Sequence, residues 1–231
     1  GAAKAYPDTP PEPPTSLRTL RLGQNEFPPS VIALLAAAVG DARNRRLECL
    51  SLAGAPVSDE GARYLSLALR LSPSLTSIDL SFCALSDAAV ATLSDALVGD
   101  TTLRQLDMRG SECTDLGRWA LARALLSADT SSLAYLLDNR WEITPATEQL
   151  LCSGLGLTDA EAGLMSAVLR TNSTVRDVHL SRNDFTRFGL ESIGTMLCAN
   201  RGIAAIDLSF NPVDAGGVLP SGGAAEALEP L

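Results

Sequence analysis

The chain has 231 residues, 27 acidic against 18 basic, with a formal net charge of −9. That balance argues against the basic stripe that neutralising a phosphate backbone requires, so no nucleic-acid partner is expected. It also speaks against an anionic lipid surface, while protein partners with basic patches fit it. Apolar residues make up 46% and aromatics 4%, which is a substantial core of Leu, Ala, Val and Ile, and no apolar run approaches the roughly 18 residues of a membrane span.

Residues 1–15 carry Pro7, Pro10, Pro11, Pro13 and Pro14. They read as an extended polyproline-like arm, either a solvated tail or a peptide lying on another subunit. A leucine frame begins at Leu17, with Leu20, Leu22, Asn25 and Phe27, and Pro28 and Pro29 open its helix. Thirty residues on it recurs as Leu47, Leu50, Leu52 and Val57. Two steps of 28 then give Leu75, Ile78, Leu80 and Leu85, followed by Leu103, Leu106, Met108 and Cys113. A fixed period of this length marks a stacked-repeat architecture.

Each unit has two halves. In Leu75–Leu80 apolar and polar residues alternate, which predicts a short strand. In Ser86–Asp100 the residues Val90, Leu93 and Leu97 are spaced three and four apart, which predicts an amphipathic helix. Ser86 or Asp87 is placed to cap it, as are Ser58-Asp59, Thr114-Asp115 and Thr158-Asp159 in their own units.

Beyond Leu103 the frame breaks: Thr147 follows 44 residues later, which is 28 plus 16. The excess falls in Ser127–Pro145, where Leu133–Leu137 predicts a strand and no helical stretch precedes the next strand at Thr147–Cys152. A truncated unit, strand and loop without a helix, is one reading, and with no helix on the outside the curvature should relax there. An inserted loop that leaves the sheet is the other. Units at 147, 175 and 203 restore the register through Val175, Val178 and Leu180, then Ile203, Ile206 and Leu208. Gly216, Gly217, Pro220, Gly222 and Gly223 then interrupt the last helix. Residues 215–231 therefore read as an irregular tail or loose cap, unless the stack continues beyond them or a partner covers its end.

These units resemble the leucine-rich repeat family in its ribonuclease-inhibitor-like subclass. The pattern L-x-x-L-x-L-x-x-N/C-x-L is met by Leu17–Phe27 with Asn25, Leu75–Leu85 with Cys83, Val175–Phe185 with Asn183 and Ile203–Val213 with Asn211. Ala55 and Ser111 depart from it, which puts loop order at those two units in question. The resemblance covers 16–214, with units near 17, 47, 75, 103, 133 (truncated), 147, 175 and 203. It implies an α/β fold, a curved horseshoe solenoid with parallel strands on the concave face and helices on the convex face. Strands about 4.8 Å apart against helices about 8–10 Å apart give that curvature, and seven to eight strands give a concave sheet about 35 Å long.

The strand positions between the leucines point into the concave face. Tyr135, Leu137 and Leu151, with Trp141 near, make an expected apolar contact patch at the irregular centre, set against burial of that strand under its own loop. The carboxylates Asp79, Asp107, Asp177 and Asp207, with Arg109 and Arg182 near, read as a seat for a basic partner group or as a solvated face, and His179 also lies on this face. A lone histidine and five scattered cysteines offer no zinc set, and no phosphate-binding glycine loop or catalytic triad stands out. No cofactor, metal or catalytic residue is expected.

The cysteines read as small buried hydrophobes of a reducing, intracellular compartment, the cytoplasm first. The start at Gly1-Ala2-Ala3 also admits an organelle after removal of a targeting peptide. The expected role is a non-catalytic protein–protein interaction scaffold, a subunit or adaptor of a multi-subunit assembly. Two alternatives come from the resemblance: a Ran-type GTPase-activating protein, for which no matching asparagine and arginine loop can be placed, and a ligand-sensing repeat domain of a longer innate-sensor chain.

Overall fold

The structure is a computed structural model that describes residues 16–41, 44–98, 102–127 and 133–213; the proline-rich arm and the 215–231 tail lie outside the described residues. Strands and helices alternate: β1 (Thr19–Arg21), α1 (Pro29–Val39), β2 (Cys49–Ser51), α2 (Asp59–Leu71), β3 (Ser77–Asp79), α3 (Asp87–Leu97), β4 (Gln105–Asp107) and α4 (Asp115–Ser127). After α4 come three strands in succession, β5 (Tyr135–Leu137), β6 (Glu142–Ile143) and β7 (Gln149–Leu151). Alternation then resumes with α5 (Asp159–Leu169), β8 (Asp177–His179), α6 (Arg187–Ala199) and β9 (Ala205–Asp207). The result is a curved solenoid with strands on the inner wall and helices on the outer.

The leucine frame sets the strand register. Leu50 lies beside Ile78, Ile78 beside Leu106 and Leu106 beside Leu136, all in parallel pairs. Frame residues such as Leu47, Leu52, Leu75, Leu80 and Leu103 are at most 1–2% exposed and form one continuous core with the inner faces of the helices. The helices start where hydroxyl caps stand. Ser58 accepts from the Gly61 amide and Ser86 from the Ala89 amide. Helix α1 starts on prolines instead, with Pro28 as cap and Pro29 in the first turn.

The aspartates beside those hydroxyls do a different job from capping. Asp87 accepts from the Thr114 amide and hydroxyl (2.7 and 2.8 Å) and from the Gly117 amide (3.0 Å), one unit further on. Asp159 holds Thr186 and Gly189 in the same way. Glycine is needed at both receiving positions, because a Cβ there would stand 2.7 and 2.5 Å from the carboxylate oxygen. These braces join the starts of α3 and α5 to the next unit.

The loops lacking Asn or Cys are ordered by other means. Ala55 is buried and its amide donates to Leu52, while the Gly54 amide reaches Ser81 across the unit boundary. The Ser111 amide donates to Met108, and Asn139 donates to the Ser111 carbonyl.

The single sheet of seven to eight strands is corrected by the structure. Among the described residues eight parallel strands exist, but β1–β5 belong to one sheet and β7–β9 to another. Strand β6 turns back antiparallel on β5, pairing Leu136 with Ile143 and Leu137 with Glu142, and so occupies the edge that β7 would have used. The helix wall has no such gap. Helix α4 packs directly on α5, where Gly163 lies against the Trp119 ring. Arg170, at the end of α5, donates to the last carbonyls of α4, Leu125 and Leu126.

Candidate functional site

The break between β5 and β7 is where this inner wall differs from a regular one. Counting from Leu133, Asp138 falls where other units have Leu, Met or Cys, and Trp141 falls where they have Asn, Cys, Ala, Ser or Leu. Both slots point inward. Asp138 is 2% exposed and Trp141 4%. An inward carboxylate needs a partner, and Arg118 of α4 supplies one through Nε to Asp138 (2.9 Å) and a second nitrogen at 3.3 Å. Arg118 also donates to the Cys113 carbonyl.

Glu161, fully buried in the first turn of α5, lies 3.9 Å from Arg118 and is paired with Arg140 of the β5–β6 turn. Its other oxygen accepts from the Thr158 amide at 2.8 Å. Arg140 in turn donates to the carbonyls of Leu155 and Gly156. Two arginines and two carboxylates thus fill the space where a helix-less unit meets the next one. Burial raises the Glu161 carboxyl above its ordinary value, against the opposing pull of the Thr158 amide, Arg140 and Arg118.

Above this network opens a cleft of about 620 Å³, lined by Arg140–Glu142 and Ala146–Cys152. It lies along β7. Leu151 is 68% exposed there, and Glu142, Glu148 and Gln149 are also exposed. The indole Nε1–H of Trp141 is buried without an acceptor.

The expected apolar patch is only partly present. Leu151 faces solvent and Tyr135 is half-buried, but Leu137 is 6% exposed and Trp141 4%. Burial of the aberrant strand under its own return therefore holds for those two residues, and they are corrected from contact surface to core. Strand β6 lies beside Leu137, and Trp141, just before it, packs into the core.

The acidic set is also altered by its neighbours. Arg109 grips Asp107 two residues away with Nε and a terminal nitrogen (2.6 Å) and lies 3.7 Å from Glu142, so Asp107 is buried and already paired. Asp79 is half-buried and accepts from Ser51 (2.8 Å), the Ser81 hydroxyl (2.7 Å) and the Ser81 amide (3.0 Å). Burial opposes its ionisation, but those hydrogen bonds and the charge of Arg109 win, and its carboxyl lies below the ordinary value. His179 is exposed on β8, beside Leu151 on one side and Asp207 on the other. The structure thus brings Leu151 and His179 together, and separately Asp79, Asp107 and Arg109.

Cys83, Cys113 and Cys152 are buried, Cys49 is half-buried and Cys198 exposed; all five are free. Burial pushes the thiols of Cys83 and Cys152 up to about 11, so they stay protonated and behave as small apolar groups. Among the described residues no group of three metal-binding side chains converges and no helix is long and apolar enough to cross a membrane.

A family model described as Leucine Rich repeat matches residues 43–66 and 71–94. Ribonuclease inhibitor of Sus scrofa is 26% identical over 166 residues, covering 65% of this chain and 36% of that protein. NACHT, LRR and PYD domains-containing protein 5 of Homo sapiens is 27% identical over 188 residues, covering 74% of this chain and 16% of that protein. The chain therefore spans well under half the length of these relatives. Among solved structures, the tropomodulin C-terminal domain from Caenorhabditis elegans superposes with a TM-score of 0.50 at 17% identity, over 68% of this chain and 86% of that one, a likeness of fold. With its 28-residue frame, parallel ladder and helical outer wall, the chain has the leucine-rich repeat fold, carries leucine-rich repeats at 43–66 and 71–94, and is similar to proteins of the ribonuclease-inhibitor-like type.

Proposed function

We propose that this protein is a non-catalytic interaction scaffold, an adaptor or subunit of a larger protein assembly. It holds its partner on the concave face, centred on the break between the two sheets. The observation that carries this reading is the solvent-open cleft at that break. A regular ladder would close this position with paired strands, and here it exposes Leu151, Glu142, Glu148 and Gln149 on a wall stiffened from behind by buried ion pairs.

Support also comes from charge and from kinship. A net charge of −9 favours partners with basic patches. The pig relative is by name an inhibitor of ribonuclease, one protein acting on another. The compartment proposed is intracellular and reducing, in keeping with five free cysteines.

The reading is tested by affinity capture from native extract with quantitative mass spectrometry, comparing the natural chain with a Leu151→Asp/His179→Asp variant. Both side chains are exposed, so the variant should keep its fold by circular dichroism while recovery of one or more partners falls. Equal recovery with both proteins would move the binding surface off the concave centre.

A further inference from the structure

The parallel ladder has a rule that fails at one place. At each of its six parallel junctions, two consecutive amides at the start of a strand fork onto one carbonyl of the preceding unit. Glu48 and Cys49 use Arg18, Thr76 and Ser77 use Glu48, and Arg104 and Gln105 use Thr76. Ala134 and Tyr135 use Arg104, Arg176 and Asp177 use Glu148, and Ala204 and Ala205 use Arg176.

By that rule Glu148 and Gln149 should use Ala134. They do not: β6 holds that edge of β5, and the Ala134 carbonyl accepts instead from the side chain of Asn172 at 3.1 Å. Strand β7 is paired with β8 only. In a parallel ladder the backbone groups of alternate residues face opposite neighbours. Leu150 pairs toward β8, so the amides and carbonyls of Gln149 and Leu151 face the cleft. This is a free strand edge, the usual template for strand addition.

The side chains at this edge are also short of a partner. Glu48 stands at the same frame position as Glu148 and is bonded at 2.6 Å by Arg18 of the unit before it. Glu148 is exposed with no such arginine, because the unit before it offers Ala134. The other cations near Glu148 are spoken for: Arg140 by Glu161 and two carbonyls, Arg109 by Asp107, and Arg176, just before β8 and next to Glu148, by the Gly202 carbonyl. The buried Trp141 indole N–H adds one donor without an acceptor.

We propose that an extended, basic peptide segment of a partner protein binds in this cleft as an added strand on β7, with a lysine or arginine against Glu148 in the place that Arg18 takes against Glu48. Its backbone carbonyls would receive the amides of Glu148, Gln149 and Leu151, and an apolar side chain would cover Leu151. Proline would be excluded wherever the ladder needs an amide. This deepens the scaffold reading and rests on it.

The test is selection of a random nonapeptide library on the intact chain, followed by synthesis of the enriched peptides. The expected peptides alternate Lys or Arg with apolar β-branched residues and lack proline. Their affinity should fall by about tenfold or more with Glu148→Arg, since like charges across an interface repel. Binding should also slow hydrogen exchange at the amides of Gln149 and Leu151. An empty selection, or peptides whose binding ignores Glu148→Arg or leaves those two amides unprotected, would overturn the proposal. If the natural partners are still captured in that case, strand addition is discarded and the scaffold reading stands.

Discussion

Two parts of the inner wall obey different rules. In units 47, 75 and 103 every inward slot holds an apolar or small residue, and every strand has a neighbour on both sides. Between Leu133 and Cys152 the inward slots hold Asp138 and Trp141, one strand runs backwards, and β7 has a neighbour on one side only. The regular part is held by burial of leucine. The irregular part buries Leu133, Leu136, Ile143 and Leu150 in the same core and adds the buried pairs Arg118–Asp138 and Arg140–Glu161. The difference teaches that a repeat array can drop a helix without losing continuity, provided that polar groups fill the gap and the remaining helices close up behind it.

The largest effect is expected where the irregular part depends on charge. Arg118→Ala would leave Asp138 and Glu161 buried without their shared cation, and should cost about 3–5 kcal/mol in urea unfolding. A cost below about 1 kcal/mol would show that the pairs are incidental. In the regular part Leu80→Ala should cost about 2–5 kcal/mol. Leu80 is fully buried, and a near-neutral result would contradict the frame itself.

A smaller effect sits between units. Ser86 both caps α3 through the Ala89 amide and donates to Asp59 at 2.6 Å. Ser86→Ala should therefore cost about 1 kcal/mol, a little more than a simple cap.

The smallest effect depends on pH. The Asp79 carboxyl lies below its ordinary value. The stability it contributes is thus fully present above the unfolded-state value and is lost as pH falls through the folded one. Thermal melts of Asp79→Asn should lie below those of the natural chain near neutrality, and the gap should close as the pH drops below about 4. A gap that stays constant with pH would mean that the Ser51 and Ser81 bonds do not depend on the charge.

Much of this architecture is legible in the residues alone. The leucines at 47, 75, 103, 175 and 203 give the units, and the 16 extra residues after Leu103 locate the break. The burial of Trp141 and Asp138 was within reach too, since counting eight and five residues from Leu133 puts both in inward slots. The two-residue strand β6 was not legible, because a pairing that short has no periodicity to read. Asp87 and Asp159 were legible as cap candidates but not as braces, since their partners lie a whole unit away and reveal themselves only once the units are stacked. The cleft lies beside the inward Asp138 and Trp141 and the return strand β6, and the expected contact patch survives in the structure only as Leu151 and part of Tyr135.

Native-state hydrogen exchange resolved to single amides tests the two-part wall most directly. The amides of Gln149 and Leu151 should exchange far faster than their frame equivalents Cys49 and Ser51, or Ser77 and Asp79, while the amide of Leu150, which faces β8, stays protected. Equal protection at all of these positions would mean that the ladder runs unbroken through the centre, and would contradict a wall built in two parts.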